Sequence, residues 1–350
     1  MTKIHTTNPL TLGVDTHLDK HVAVLLNAMG QHIDTAEFSV CEKGYQELLA
    51  WCRSFGQLTE AGIEGTGSYG AGLCHFLEKS NVCVYEVNRP NRAKRRLVGK
   101  SDTIDAENAA RSVLAKESTA TPKSHDGKVE ALRYFMVVRR STVKSRTQAV
   151  NQIRALLVTA PDCIKQMCYV PSTFQCIQAC LSLEPTSEAP LSCSLISVLK
   201  MLAHRWQYLT DELHTIDKML RQLTKESAST LLEQFGIGPC VAATLLVTAG
   251  DNQQILGKEF AFSALCGVSP LQASSGKTSR HRLNRGGSRE ANNALWTVDL
   301  IRMRSDPRTK LYVARRSGEG LSTKEIQRCL KRYIVRELYP IILKDLSVMT

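Results

Sequence analysis

The chain has 350 residues, 43% of them hydrophobic, and a formal net charge of +12. That length supports two or three domains with real cores, and with an ordinary apolar fraction disorder is not the default. The positive balance favours polyanionic partners, nucleic acid first, and no uninterrupted apolar run reaches membrane-spanning length.

The opening Met1-Thr2-Lys3-Ile4-His5 lacks the apolar stretch of a signal peptide, so the expected location is the cytoplasm. Leu10 to Asp15 and His21 to Leu26 read as strands, Asn27-Ala28-Met29-Gly30 as a turn, and Gln31 to Val40 alternates as a third strand. A helix over 43–55 follows, with Tyr45, Leu48, Leu49 and Trp51 on its apolar face. Ala61-Gly62-Ile63-Glu64 is a short buried strand ending on an acid, and a helix from Tyr69 to Lys79 leads to a strand from Asn81 to Val87. Three strands, helix, strand, helix, strand is the order of a ribonuclease H-like α/β domain.

Arg89, Arg92, Lys94, Arg95, Arg96 and Lys100 make a basic stretch, after which Ser101 reads as the N-cap of a helix over 102–116. Polar residues 117–127 read as a linker. A long helix over 128–158 carries Arg133, Arg139, Arg140, Lys144, Arg146 and Arg154 on its polar positions. Residues 160–195, interrupted by Pro161, Pro171, Pro185 and Pro190, read as irregular, and a second long helix covers 195–225. The two long helices suit an antiparallel or intermolecular coiled coil, or plain core helices. From Leu231 the pattern is mainly helical: a helix from Cys240 to Ala249, a loop over 270–289, and helices near 290–303 and 322–346. The expected division is 1–120, 121–228 and 229–350.

The twelve cysteines sit mostly in apolar segments and read as reduced core thiols. Cys163, Cys168, Cys176 and Cys180 cluster loosely but contain no Cys-x-x-Cys pair, which argues against zinc.

Four acids carry the chemistry. Asp15 and Glu64 end buried strands, and Asp102 and Asp105 share one helix face. Clustered carboxylates repel one another unless a cation binds them, and hard oxygen ligands select Mg²⁺, with Mn²⁺ as the alternative ion. Taken singly, Asp102 also suits a first-turn acid and Asp105 a partner for Lys100 or Arg111. Downstream, Ser274-Ser275-Gly276 sits among Lys277, Arg280, His281, Arg282, Arg285 and Arg289. Such a loop suits either a serine nucleophile or a phosphate clamp whose hydroxyls only donate hydrogen bonds. Gly236-Ile237-Gly238 resembles the hairpin of a helix-hairpin-helix module, or an ordinary helix start.

These motifs resemble the bacterial insertion-sequence transposases of the IS one-ten family, with its eleven-eleven relatives. The resemblance rests on Gly13-Val14-Asp15-Thr16-His17, Glu64-Gly65-Thr66-Gly67 and Lys100-Ser101-Asp102-Thr103-Ile104-Asp105-Ala106. It continues in Gly236-Ile237-Gly238-Pro239, Phe262 to Pro270, Ser274-Ser275-Gly276, and Tyr312 with Arg315-Arg316. It implies a RuvC-like DEDD domain holding Mg²⁺ on Asp15, Glu64, Asp102 and Asp105. It further implies a serine that links covalently to DNA (Ser275 first, Ser274 second) and a structured non-coding guide RNA that pairs with donor and target DNA. Dimers and tetramers joined through the long helices are implied as well. Leu271-Gln272 departs from the pattern, where the family often has basic or polar residues. The alternatives are a RuvC-like resolvase using water, an actin-like sugar kinase, and a non-enzymatic RNA-binding module. The single acidic half argues against the kinase, and the clustered acids argue against the last.

Overall fold

The computed structural model describes residues 9–87, 101–118, 120–122, 127–184, 190–250, 257–274 and 281–349. The chain divides into two compact units, Met1–Asp126 with Ala249–Ala261 and Gly127–Thr248 with Phe262–Thr350.

The first unit is a mixed α/β structure. Strands β1 (Pro9–Thr16), β2 (Lys20–Asn27) and β3 (His32–Ser39) precede helix α1 (Glu42–Phe55), β4 (Gln57–Glu64), α2 (Ala71–Lys79), β5 (Cys83–Val87) and α3 (Asp102–Leu114). The five strands lie in the order β3-β2-β1-β4-β5. The pairs β1–β2 and β2–β3 are antiparallel, whereas β1–β4 and β4–β5 are parallel. Both central strands are buried on both faces, as parallel pairing covered by helices requires.

Parity along the strands decides where the acids go. Leu10, Leu12 and Val14 of β1, with Ala61 and Ile63 of β4, pack in one core with Leu48 and Leu49 of α1 and Leu73 and Leu77 of α2. The alternate residues Gly13 and Asp15, and Gly62 and Glu64, therefore belong to the opposite face. That face is covered by α3, whose Ala106 and Ala110 pack with Val22, Val24 and Leu26 of β2. The glycines permit the close approach. A Cβ on Gly13 would lie 2.0 Å from the Ala106 carbonyl oxygen, and one on Gly62 would lie 2.6 Å from that of Ala109. A helix of small residues thus lies directly on strand backbone.

The second unit is mostly helical. Helices α4 (Gly127–Val158) and α7 (Pro190–Ser227) run side by side, with α5 (Asp162–Cys168) and α6 (Thr173–Ser182) between them in sequence. Arg139 faces Asp217 and Thr142 faces Glu212, while Ile153 and Leu157 share a core with Ile196, Leu199 and Ala203. The pair is therefore antiparallel within one chain. The expectation of an irregular 160–195 is corrected: Pro161 is the N-cap of α5, Pro171 precedes the N-cap Ser172 of α6, and Pro190 opens α7, so three of the breaks mark helix starts. Cys168, Cys176 and Cys180 are buried in the core beneath, where burial pushes each thiol up.

The remaining elements are α8 (Ser229–Leu232), α9 (Pro239–Ala249), α10 (Glu259–Leu265), the two-residue strands β6 (Leu271–Gln272) and β7 (His281–Arg282), α11 (Arg289–Ser305), α12 (Pro307–Gly318) and α13 (Thr323–Met349). The segment read as a loop over 270–289 is thus pinned by an antiparallel hairpin, with Leu271 opposite Arg282. Helix α12 was not foreseen, although Asp306 caps it by accepting from the Thr309 amide at 2.9 Å.

Candidate active site

Asp15 lies near the C-terminal end of β1 and Glu64 ends the adjacent parallel strand β4. The two ends are tied together by the Thr16 hydroxyl, which donates to the Glu64 carbonyl at 2.7 Å. Gly65 then turns the chain away at φ 76°, in the left-handed region where a side chain is strained. Across from them, the Ser101 hydroxyl caps α3 by accepting from the Ile104 amide at 3.2 Å. That cap starts the helix at Asp102, so Asp102 and Asp105 fall in its first turn.

Asp15, Glu64 and Asp105 are each buried, and Asp102 is half-exposed. His17 Nε2 stands between two carboxylates, 3.3 Å from Asp15 Oδ2 and 3.4 Å from Asp102 Oδ2. Ligand atoms of Asp15, His17 and Asp102 all lie within 4.8 Å of one another. Burial raises the Asp15 carboxyl above its usual range; His17 opposes this, and the charges of Glu64, Asp105 and Asp102 add to it. The four acids therefore share one electrostatic neighbourhood.

The donor set fits a hard divalent cation. Carboxylate oxygens are the preferred ligands of such ions, and a cation would relieve the burial and like-charge repulsion that raise Asp15. His17 stands within reach of both Asp15 and Asp102. Sequence reasoning gave it no role; its signal was the spacing Asp15-x-His17, which returns the side chain to the same side just past the strand end.

In the second unit, Ser274 is exposed and its hydroxyl accepts from Gln272 Nε2 at 3.2 Å. Ser275, Gly276, Lys277 and Arg280 lie outside the described residues, as do Arg89, Arg92, Lys94, Arg95 and Arg96. The base of the hairpin is firmly held. Asn284 Nδ2 donates to Ser269 Oγ at 2.9 Å, and Asn292 Nδ2 donates to the carbonyls of Cys266 and Gly267 at 3.2 and 2.9 Å. Lys331 Nζ in turn donates to Asn292 Oδ1 at 2.8 Å. Arg282, Arg285 and Arg289 are exposed.

The basic residues of α4 divide by environment. Arg139 is half-buried and paired with Asp217 at 2.6 Å, whereas Arg140 is exposed and paired with Glu290 at 3.1 Å. Lys144 is exposed and Arg146 is half-buried. Gly236 packs near Val298 and Ile301 of α11, and the Phe235 carbonyl accepts from Arg302 Nε at 3.0 Å.

Two family models match the chain. One, a DEDD-type model described as a transposase, covers residues 12–160, and the other, described as the transposase IS116/IS110/IS902 family, covers residues 228–314. No curated protein gives a significant match. The carboxylate cluster lies within the first match and the hairpin within the second, so the chain is a DNA-processing enzyme of the transposase class. More narrowly, it belongs to the IS110 family of insertion-sequence transposases. Membership in a DEDD family implies dependence on a divalent metal and DNA as substrate. Among the described residues, no helix is long and apolar enough to cross a membrane.

Proposed function

We propose that this transposase cleaves and rejoins donor and target DNA through a serine nucleophile, with Mg²⁺ on Asp15, Glu64, Asp102 and Asp105, and guided by a structured non-coding RNA. The observation that carries the reading is that Asp15 and Asp102 meet at His17, while the charges of Glu64 and Asp105 act on the same Asp15 carboxyl. A RuvC-like fold for the first domain is supported by the strand order and by parallel pairing restricted to β1, β4 and β5. The proposed division remains 1–120 for that domain, 121–228 for the long helices and 229–350 for the serine-bearing domain.

A divalent ion held by the acids would draw charge from the phosphate under attack. The serine Oγ forms a bond to phosphorus while the bond to a deoxyribose oxygen breaks; the serine proton leaves to solvent, and the departing oxygen takes a proton from solvent and ends as a free 3′ hydroxyl. The phosphoserine link keeps the phosphodiester reactive for rejoining. Ser275 is the first candidate and Ser274 the second. Lys277, Arg280, Arg282, Arg285 and Arg289 would bind phosphates around them, with Arg89, Arg92, Lys94, Arg95, Arg96, Arg140, Lys144 and Arg146 serving the RNA or the DNA. Arg139 is the weakest of this group, because Asp217 already holds it. Dimers, and tetramers during synapsis, would form through the long helices. Tyr134, Val138 and Tyr208, exposed on those helices, suit that contact. The setting is the bacterial cytoplasm, at the nucleoid.

Covalent trapping tests the chemistry. The protein is incubated with Mg²⁺, its flanking RNA and end-labelled donor and target DNA, then denatured. The expected result is DNA-linked protein that disappears in Ser275→Ala. Loss only in Ser274→Ala moves the nucleophile by one residue. Cleavage with no covalent species in any variant overturns the serine reading in favour of a nuclease that uses water.

A further inference from the structure

A cavity of about 510 Å³ opens beside the base of the hairpin, bounded by Gly267–Pro270 and His281–Asn284 on one side and by α12 and α13 on the other. Its wall carries Arg282, Arg316, Arg328, Lys331, Arg332 and Arg336, against the single carboxylate of Glu325. Arg316 is already held by Glu319, and Lys331 is buried and hydrogen-bonded to Asn292. The positive balance of that wall attracts an anion. The cavity also contains Tyr333, which is 52% exposed and held edge-on by Tyr312, their ring centroids 5.8 Å apart.

Cations that track phosphates beside an exposed aromatic ring form the usual platform for unpaired nucleotides. The volume lies in the small-ligand range, suited to a nucleotide or two and far too small for a duplex. We propose that this cavity holds an unpaired nucleotide of the DNA strand on which the hairpin acts, its phosphate on Arg328, Arg332 and Arg336 and its base stacked on Tyr333. The choice of DNA rests on the proposed function, in which that hairpin carries the nucleophile. The cavity would hold a strand end after it leaves its duplex, which strand exchange requires.

Photocrosslinking tests this without cleavage. Full-length protein in EDTA is mixed with a single-stranded DNA oligonucleotide bearing 5-iododeoxyuridine, irradiated and digested, and the adducts are mapped by mass spectrometry. The expected adduct falls on Tyr333, and a duplex of the same sequence gives none there. Fluorescence anisotropy should show Tyr333→Ala binding the single strand about ten-fold more weakly, and Tyr333→Phe binding it like wild type. Arg332→Ala with Arg336→Ala should weaken binding and lower the salt slope by about one to two. Adducts elsewhere only, or a Tyr333→Ala affinity within two-fold of wild type, overturn the proposal. An RNA oligonucleotide that labels Tyr333 while the DNA does not overturns the assignment to DNA. Because the wild-type adduct decides, a poorly folding variant does not blunt the test. Because neither metal nor serine is needed, it can succeed where covalent trapping fails, and the reverse.

Discussion

The acidic site of the first unit and the basic cavity of the second are built by opposite means. The acids stand where backbone elements end: one near the end of each of two parallel strands and two in the capped first turn of a helix. Their positions follow from strand parity and from glycines that let α3 rest on the sheet. Apart from Arg282 on β7, the cations come from α13 and α12, where nothing about the backbone marks them. They become a site only because the hairpin closes over that helix face. Charge placed by backbone is rigid and tolerates little change; charge placed by long side chains is distributed, and single losses should be partial.

The sharpest way to break that comparison is substitution on each side. Asp15→Asn and Asp102→Asn should each lower strand transfer by about a thousand-fold or more, while thermal unfolding and nucleic-acid binding stay near wild type. Any single arginine of the cavity should cost far less. A partial loss at Asp15, measured on labelled donor and target strands, would mean that the acids share their task as loosely as the arginines do.

The glycine supports come next. In Gly13→Val the new side chain must enter space 2.0 Å from the Ala106 carbonyl and 2.5 Å from the Ala110 amide nitrogen, both backbone atoms. The helix has to lift, which should cost more than about 3 kcal/mol in chemical denaturation. Strand transfer should fall as well, because Asp102 and Asp105 move with the helix. Gly238→Ala, with nothing within 4 Å, should change stability little. Equal losses at both positions would remove the argument that contact with α3 sets the site.

The same asymmetry governs what could be read beforehand. Alternating apolar residues in β1 and β4 gave away the strands, and an acid at the end of such a run is hard to explain otherwise. Ser101 similarly announced α3 three residues before the amide it caps. Helices α5 and α6 escaped because each is at most ten residues long and follows a proline-marked break, leaving too few turns for a period to emerge. Arg328, Lys331, Arg332 and Arg336 escaped for a different reason. Along α13 they look like any solvated helix face, and only the packing of a distant hairpin makes that face the wall of a cavity.

A pH experiment probes the first unit's interior. His21 is fully buried, stacked on Tyr45 with ring centroids 5.9 Å apart, and neither ring nitrogen has a hydrogen-bond partner among the described residues. Burial lowers its pKa from 6.5 to about 4, with the charge of His17 adding to the shift. The folded state therefore binds this proton less readily than the unfolded chain. Stability from the neutral ring is full above pH 6.5 and is lost as pH falls toward 4, by about 3 kcal/mol in total. Asp299 works in the other direction: burial raises it to about 7, so its cost appears as pH rises from 3.8 to 7. The difference between wild type and His21→Phe isolates the histidine. That gap should widen in favour of the variant from pH 6.5 to 4; a constant gap would place the ring in contact with water.

The smallest effects separate structural from binding arginines on adjacent positions of α4. Arg139 joins α4 to α7 through Asp217, and the Cys240 thiol leans on the same carboxylate at 3.8 Å. Its neighbour Arg140 is exposed and pairs with Glu290, which is itself exposed. Arg139→Ala should cost about 1 kcal/mol of stability, since the pair is partly solvated, and should leave the salt dependence of RNA binding unchanged. Arg140→Ala should change stability by less than about 0.5 kcal/mol but lower the salt slope by nearly one, the contribution of one phosphate contact. Urea melts and salt titrations of the two variants give a crossed pattern if the α4 surface beside Arg140 binds nucleic acid. If both salt slopes stay at the wild-type value, the basic face of α4 is a solvated surface, and binding rests on the second unit's cavity and on the basic residues around the serine loop.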